Sequence, residues 1–359
     1  MKRLKQFFLV FLLAISIMPF SQVFAEEEES AGYSVAKVAP TTPQVNESSS
    51  FYDLLVTPGE ELTIQSELTN HDSAPVKVKM ADYTTYTNAN GEINYSAALK
   101  KKEADKSLKF PFSEMAEIEG DPIVTLSPGE KRIVSMKINI PQDASEGVIL
   151  GSWYFEKETE EQTDDQKKDT KKTGITIENK FAYAMAVKLT VEKEISAPNL
   201  KLLEVSSDLN NYKKVINATV QNDQPAIVSN LNFSGKVTRK GETTPLITGT
   251  LEDRKMAPNS NFQVPLFLGK EQLKSGVYTL HLKGTTTDTK WEEKTWVWEK
   301  DFTITKEEAD KLNKEAINDP EPERSYLIYL LYVIIGLLVL LLLLTLFHRK
   351  KKEKIENGK

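Results

Sequence analysis

At 359 residues and a net charge of −6, the chain has length for about two ordinary domains beyond its terminal segments, and its mild acidity gives no reason to expect nucleic acid as a partner. It has no cysteine, which excludes disulfides, thiol catalysis and thiolate metal sites, so any exported domain must be held by its core alone. The three histidines, His71, His281 and His348, are scattered rather than grouped as metal ligands, and no cofactor motif is present.

The N-terminus reads as a secretory signal peptide over 1–25. Lys2, Arg3 and Lys5 precede an apolar run from Phe7 to Phe20, and Val23-Phe24-Ala25 stands just before Glu26-Glu27-Glu28-Glu29. An acidic segment, 26–32, then leads into a region of alternating apolar and polar residues. The first domain is expected over 33–195. Thr57-Pro58-Gly59-Glu60 precedes the alternation Leu62, Ile64, Leu68, and Ser127-Pro128-Gly129-Glu130 precedes Val134, Met136, Ile138, Ile140. In each unit Pro presets φ and Gly accepts a positive φ, so a turn feeds a half-buried strand. Asn88-Ala89-Asn90-Gly91 between Tyr86 and Tyr95 predicts a hairpin. Rings beside a polar turn can stack on a sugar or anchor a protein, so Tyr86, Asn88, Asn90, Gly91 and Tyr95 form the candidate contact surface, with core filling the competing role for the two tyrosines.

Residues 156–172 hold no apolar side chain and predict a charged loop between strands. Alternation resumes from Phe181 to Leu189, and Ser196-Ala197-Pro198-Asn199 marks a domain boundary. A second β domain is expected over 196–305, with Tyr278, Leu280 and Leu282 on one strand face and Trp296, Trp298, Phe302 and Ile304 on another. Thr305 to Glu308 is a capping-box signature for a short helix, and Asn318-Asp319-Pro320 ends it within a 306–325 helix and spacer. Residues 326–347 are an uncharged apolar run that would reach roughly 33 Å as a helix, enough to span a bilayer. Arg349, Lys350, Lys351 and Lys352 follow it in a basic tail, 348–359, and place that end in the cytoplasm. The fold class is therefore all-β, with two tandem immunoglobulin-like β-sandwich domains, a short helix and one C-terminal transmembrane helix. Secretion, anchor, lysine-rich tail and absence of cysteine together suggest a Gram-positive cell surface.

Catalytic patterns are fragmentary. Ser34-Val-Ala-Lys37 matches S-x-x-K and Lys172-Thr173-Gly174 matches K-T-G, but the S-D-N element that stands between them in penicillin-binding enzymes is missing. Both fragments are read as coincidence, and the chain as a binding protein rather than an enzyme. The competing reading is a membrane-anchored ligand receptor, which would need a separate signalling partner because the tail is too short to hold a domain.

Further pieces fall in a familiar order: Val38-Ala-Pro40, Phe51-Tyr52-Asp53-Leu54, Leu68-Thr-Asn70, Thr87-Asn88-Ala-Asn90-Gly91 with Tyr95, Gly147-Val-Ile-Leu150-Gly151, Gln221-Asn222 with Pro225-Ala-Ile227-Val228, Met256-Ala-Pro258-Asn259-Ser260 and Ser275-Gly276-Val-Tyr278. With these, over essentially its whole length, the chain resembles the WxL-interacting proteins of Gram-positive bacteria. It departs at Pro43-Gln44, where Asn-Gln is usual, and at Gly151-Ser152, where Gly-Gly is usual. The resemblance implies a peptidoglycan-binding first domain, a second domain that binds host extracellular or partner proteins, and secreted WxL-domain proteins as companions in a wall-associated complex.

Overall fold

A computed structural model describes residues 31–158, 180–195, 197–317 and 332–341, and in it the alternating segments are strands. The first module holds β1 (Tyr33–Lys37), β2 (Tyr52–Val56), β3 (Glu61–Asn70), β4 (Val76–Thr84), the two-residue β5 (Tyr86–Thr87) and β6 (Ile93–Asn94), β7 (Ala116–Ile118), β8 (Ile123–Leu126), β9 (Lys131–Asn139), β10 (Gly147–Lys157) and β11 (Ala182–Val191). The second holds β12 (Leu200–Asn210), β13 (Lys213–Asn222), β14 (Val228–Arg239), β15 (Ile247–Met256), β16 (Ser260–Phe267), β17 (Gly276–Thr286), β18 (Lys294–Ile304) and helix α1 (Lys306–Glu315).

Two sheets face each other in each module, ordered β1-β3-β9-β7 over β2-β11-β10-β4-β8, and β12-β13-β16 over β15-β14-β17-β18. Period-two alternation does the work: Leu62, Ile64 and Leu68 of β3 are buried while Glu61, Thr63 and Gln65 are exposed. One apolar core joins Trp153, Phe155, Tyr52 and Ile64; a separate one joins Phe233, Leu280, Phe262 and Trp296. Trp298, expected with Trp296, stacks on it at 6.5 Å but is only half-buried. Thr305 and Glu308 close the expected capping box and start α1, whose Ala309 and Leu312 pack on the second core.

The two proline–glycine units form equivalent turns. Gly59 and Gly129 take φ of +81° and +73°, and Glu60 and Glu130 each accept the N–H of the residue three positions back, Thr57 and Ser127, at 2.8 Å. A deeper repeat lies at the corners where the chain changes sheet. Buried Asn70, ending β3, donates to the carbonyls of Ala74 (2.9 Å) and Leu126 (3.0 Å); buried Asn222, ending β13, donates to those of Ala226 (2.7 Å) and Ala257 (2.9 Å). Around these corners the strand pairings coincide: β3 with β9 and β4 with β8 correspond to β13 with β16 and β14 with β15. The pairings of β4, β10 and β11 correspond in the same way to those of β14, β17 and β18. The first module adds β7 and, against β11, the parallel strand β2.

Two expectations change. The charged loop expected over 156–172 starts later, because Glu156 and Lys157 continue β10: Glu156 pairs with Ala182 and Lys79. The membrane span expected over 326–347 is described only at 332–341, a helix with apolar side chains exposed. Ten residues reach ~15 Å, half a hydrocarbon core, and no helix among the described residues is long and apolar enough to cross a membrane. The signal peptide over 1–25, residues 26–30 of the acidic segment, the remainder of the charged loop, residues 318–325 of the spacer and the tail with Arg349 to Lys352 lie outside the described residues.

Removing the Asn222 amide strands the buried carbonyls of Ala226 and Ala257, and removing that of Asn70 strands the buried Leu126 carbonyl and the more exposed one of Ala74. Asn70→Ala and Asn222→Ala should each cost about 2–3 kcal/mol of stability in chemical denaturation, whereas Asn88→Ala in the exposed turn should cost under about 1 kcal/mol.

Candidate functional site at the junction of the modules

The hairpin carrying the sequence-predicted contact residues forms, and it leans on the second module. Asn88 builds its turn: the side-chain Oδ1 accepts from the N–H of Asn90 (2.9 Å) and of Glu92 (3.2 Å), and the Gly91 N–H donates to the Asn88 carbonyl at 3.0 Å. Gly91 has φ +71° and is buried, and a Cβ there would lie 2.9 Å from Phe262 Cε2 and from Arg254 Cδ. Only glycine meets both demands. The Lys255 N–H donates to the Gly91 carbonyl at 2.8 Å, and Arg254 donates to the Asn90 carbonyl and pairs with Glu92, both at 3.2 Å. Thr87 Oγ1 lies 2.6 Å from Ser260 Oγ and accepts from the Ala257 N–H at 3.0 Å.

Asp105 forms the second cluster of this seam. Its carboxylate is buried and accepts from Gln221 Nε2 (2.7 Å) and Asn261 Nδ2 (2.5 Å) of the second module and from Ser107 of its own loop. Burial alone would raise its pKa, but the hydrogen bonds from Ser107, Asn261 and Gln221 together hold it below the usual carboxylate value. At a third point the Val148 N–H donates to the Pro225 carbonyl at 2.7 Å, and Gly147 packs against the same proline, which a Cβ would approach to 2.5 Å.

The five residues singled out in the sequence therefore divide. Asn90 is exposed; Tyr86, Asn88 and Tyr95 are half-buried; Gly91 faces the second module. The Tyr86 hydroxyl accepts from Asn94 Nδ2 at 3.2 Å, and the Tyr95 carbonyl accepts from Ser152 Oγ at 2.6 Å. Burial pushes the Tyr95 hydroxyl up to about 12. Tyr95 also walls a trench of about 390 Å³ that sequence reading missed, together with Val35, Leu150, Ala184, Ala186 and Ile227. At one end of it Lys188 pairs with Asp53 (3.3 Å) and Glu194 (2.6 Å), and nearby Lys37 reaches Gln44 Oε1 at 3.0 Å and the Phe51 carbonyl at 3.1 Å.

The S-x-x-K fragment falls on strand β1, where residues three apart point to opposite faces: Ser34 Oγ meets His71 Nε2 at 2.7 Å, while Lys37 holds the oxygens just named. The K-T-G fragment lies outside the described residues. No cluster of three metal-ligating side chains occurs among the described residues.

A family model described as "WxL Interacting Protein, peptidoglycan binding domain" matches residues 33–157, and one described as "WxL Interacting Protein, host binding domain" matches residues 172–314, together about three quarters of the chain. A comparison with the curated proteins found no match. Among solved structures, PapD-like domain 7 of human CEP192 is 12% identical over 50% of this chain and 99% of its own, with a TM-score of 0.27. The Pseudomonas aeruginosa CupB2 chaperone is 12% identical over 68% and 95%, with a TM-score of 0.26. The Acinetobacter baumannii CsuC-CsuE chaperone–tip complex gives 8%, 68% and 93%, and 0.30. Likeness at this level says nothing of ligands.

The seam carries its own pH signature. Because Asp105 has a folded pKa below its unfolded value of about 3.9, its contribution is complete above that value and is lost as pH falls through the folded pKa. Asp105→Ala should lower stability at pH 7 by about 2–3 kcal/mol, with the deficit shrinking below about pH 4, as read by denaturation across pH.

Proposed function

We propose that this chain, which belongs to the WxL Interacting Protein family, is a cell-surface scaffold that grips peptidoglycan with its first module, over 33–195, and a second protein with its second, over 196–305. The observation that carries the reading is the order of the two matched domains, which between them take in both sandwiches. Secreted WxL-domain proteins are the first partners proposed, with host extracellular proteins also within reach of such a module. Both activities are recognition, and no catalytic step is assigned.

The hairpin surface of Tyr86, Asn88, Asn90 and Tyr95, with Gly91 supporting it from behind, is the proposed contact with peptidoglycan or partner. Its support is geometric: half-buried rings and the exposed Asn90 stand on a turn that the Asn88 side chain builds and the second module holds in place. The anchor is proposed as a helix over 326–347 with Arg349, Lys350, Lys351 and Lys352 on the cytoplasmic side, supported by the uninterrupted apolar run and the basic cluster after it. The signal peptide over 1–25 delivers the rest to the outside.

The full chain should co-sediment with purified peptidoglycan and retain a secreted protein carrying the Trp-x-Leu motif in a pull-down. Binding to neither would end this reading. Truncation after Ser325 should shift the protein from the membrane fraction to the medium, and its retention would remove the anchor.

A further inference from the structure

The edge of β11 is covered along only half its length. On one side β11 pairs with β10 from Ala182 to Val191; on the other, the parallel strand β2 pairs only from Val187 to Val191. The Lys157 N–H donates to the Phe181 carbonyl at 3.0 Å, so the odd-numbered residues of β11 turn their main-chain groups toward β10. Ala182, Ala184 and Ala186 thus aim their N–H and C=O groups away from β10; the Ala186 carbonyl meets the start of β2 through the Val187–Tyr52 pairing, and no described residue pairs with Ala182, Ala184 or the Ala186 N–H there.

That row forms the floor of the trench beside Tyr95. Val35 of β1 stands on one side, with β1 held to β11 by the Tyr183 hydroxyl, which donates to the Tyr33 carbonyl at 3.1 Å. Tyr95 and Ile227 stand on the other, so the wall is built by both modules. We propose that the trench takes an extended segment of a partner protein, which adds as a strand to β11 at Ala182–Ala186 in line with β2.

Other edges among the described residues are short or guarded. β1, β7 and β8 have five, three and four residues; β12 carries a register shift near Leu203, whose carbonyl Lys300 covers; β15 carries register shifts and Glu252, Asp253, Arg254 and Lys255; β16 carries Pro265; β18 carries Lys294, Glu299 and Lys300. The outer side of β2 is closed by Pro43 and Val45, through the Leu55 and Val45 N–H groups. Between Phe181 and Val187 there is no charge, proline or register shift.

Three features identify the occupant. Only an extended main chain supplies donors and acceptors at the ~3.3 Å spacing of a strand edge. The floor is uncharged, and Lys188 at its end already faces two carboxylates, so the inserted residues are apolar or small and uncharged. The trench is lined by both modules, with Val35, Tyr95 and Ile227 beside the floor, and its volume of about 390 Å³ suits one short strand. The trench is also continuous with the seam between the two matched binding domains, so one inserted strand touches both.

This deepens the reading that the chain binds a protein, and it is tested apart from peptidoglycan binding. The probe is a fluorescent seven-residue peptide of alternating valine and threonine, titrated against the full chain, with a version N-methylated at every amide, so that neither edge can donate, as the mismatched strand. The unmodified peptide should bind at least about tenfold more tightly than the N-methylated one. Ala184→Pro, which removes an outward N–H without touching the β10 pairing, and Ala184→Lys, which adds a charge, should each weaken it by a similar factor. Ala184→Ser should not, and all three variants should co-sediment with peptidoglycan as the unaltered chain does. Equal binding of both peptides, or indifference to Ala184→Pro and Ala184→Lys, overturns the proposal. So does peptide binding that appears only after deletion of residues 159–179, since the chain would then cover its own edge. Concentration-dependent dimerisation abolished by Ala184→Pro would assign the edge to a second copy and overturn it equally.

Discussion

Each sandwich turns on one buried amide. Asn70 and Asn222 sit where the chain leaves one sheet for the other, and each ties the end of a strand in one sheet to two carbonyls beside the adjoining ends of two paired strands in the facing sheet. A buried carbonyl without a partner costs enough that such a corner has few alternatives, which fixes both the crossover and the register of the strands leaving it. In a chain without cysteine this polar tie does the work that a disulfide does in many exported sandwiches, but it acts on the folded state rather than by restricting the unfolded one. Because both modules share the corner, they also share the strand pairings built on it.

Against that common plan the differences carry the interest. The second module ends at β18 with a charged edge, while the first appends β2 beside β11. Asp53, within β2, is buried beside Lys188 of β11, so the added strand is pinned by an ion pair as well as by its ladder. Just before it, Lys37 holds the Phe51 carbonyl, and the pairing with β11 starts at Tyr52.

Much of this was legible from the residues. Alternation located the strands, and Pro-Gly-Glu marked the turns because each residue there has one job: preset φ, positive φ, and a carboxylate to accept a local N–H. The hairpin was readable from Asn88 to Gly91 for the same reason. Its orientation was not, since the demand on Gly91 comes from Phe262 and Arg254, far along the sequence. Likewise Asp105 looks like an ordinary loop carboxylate until Gln221 and Asn261 are brought beside it. The open edge was hidden because Ala-Tyr-Ala-Met-Ala reads as any strand; that its outward side lacks a partner is a property of sheet order. The loop boundary slipped by two residues because charge on an outer strand face looks like charge in a loop.

The seam has a consequence for how such a protein can grip. Two sandwiches joined by a linker alone would present their surfaces independently, and a ligand touching both would have to order the linker first. Here main-chain bonds at Gly91 and Pro225, the Asp105 cluster and the Thr87–Ser260 contact set the modules against each other before any ligand arrives. A contact spanning the seam then costs no ordering of one module against the other, so even a short strand of a few residues can be held usefully. The anchored arrangement proposed above would add to this, because restricting both partners to one layer raises their effective concentration, and modest individual contacts suffice when they are made together.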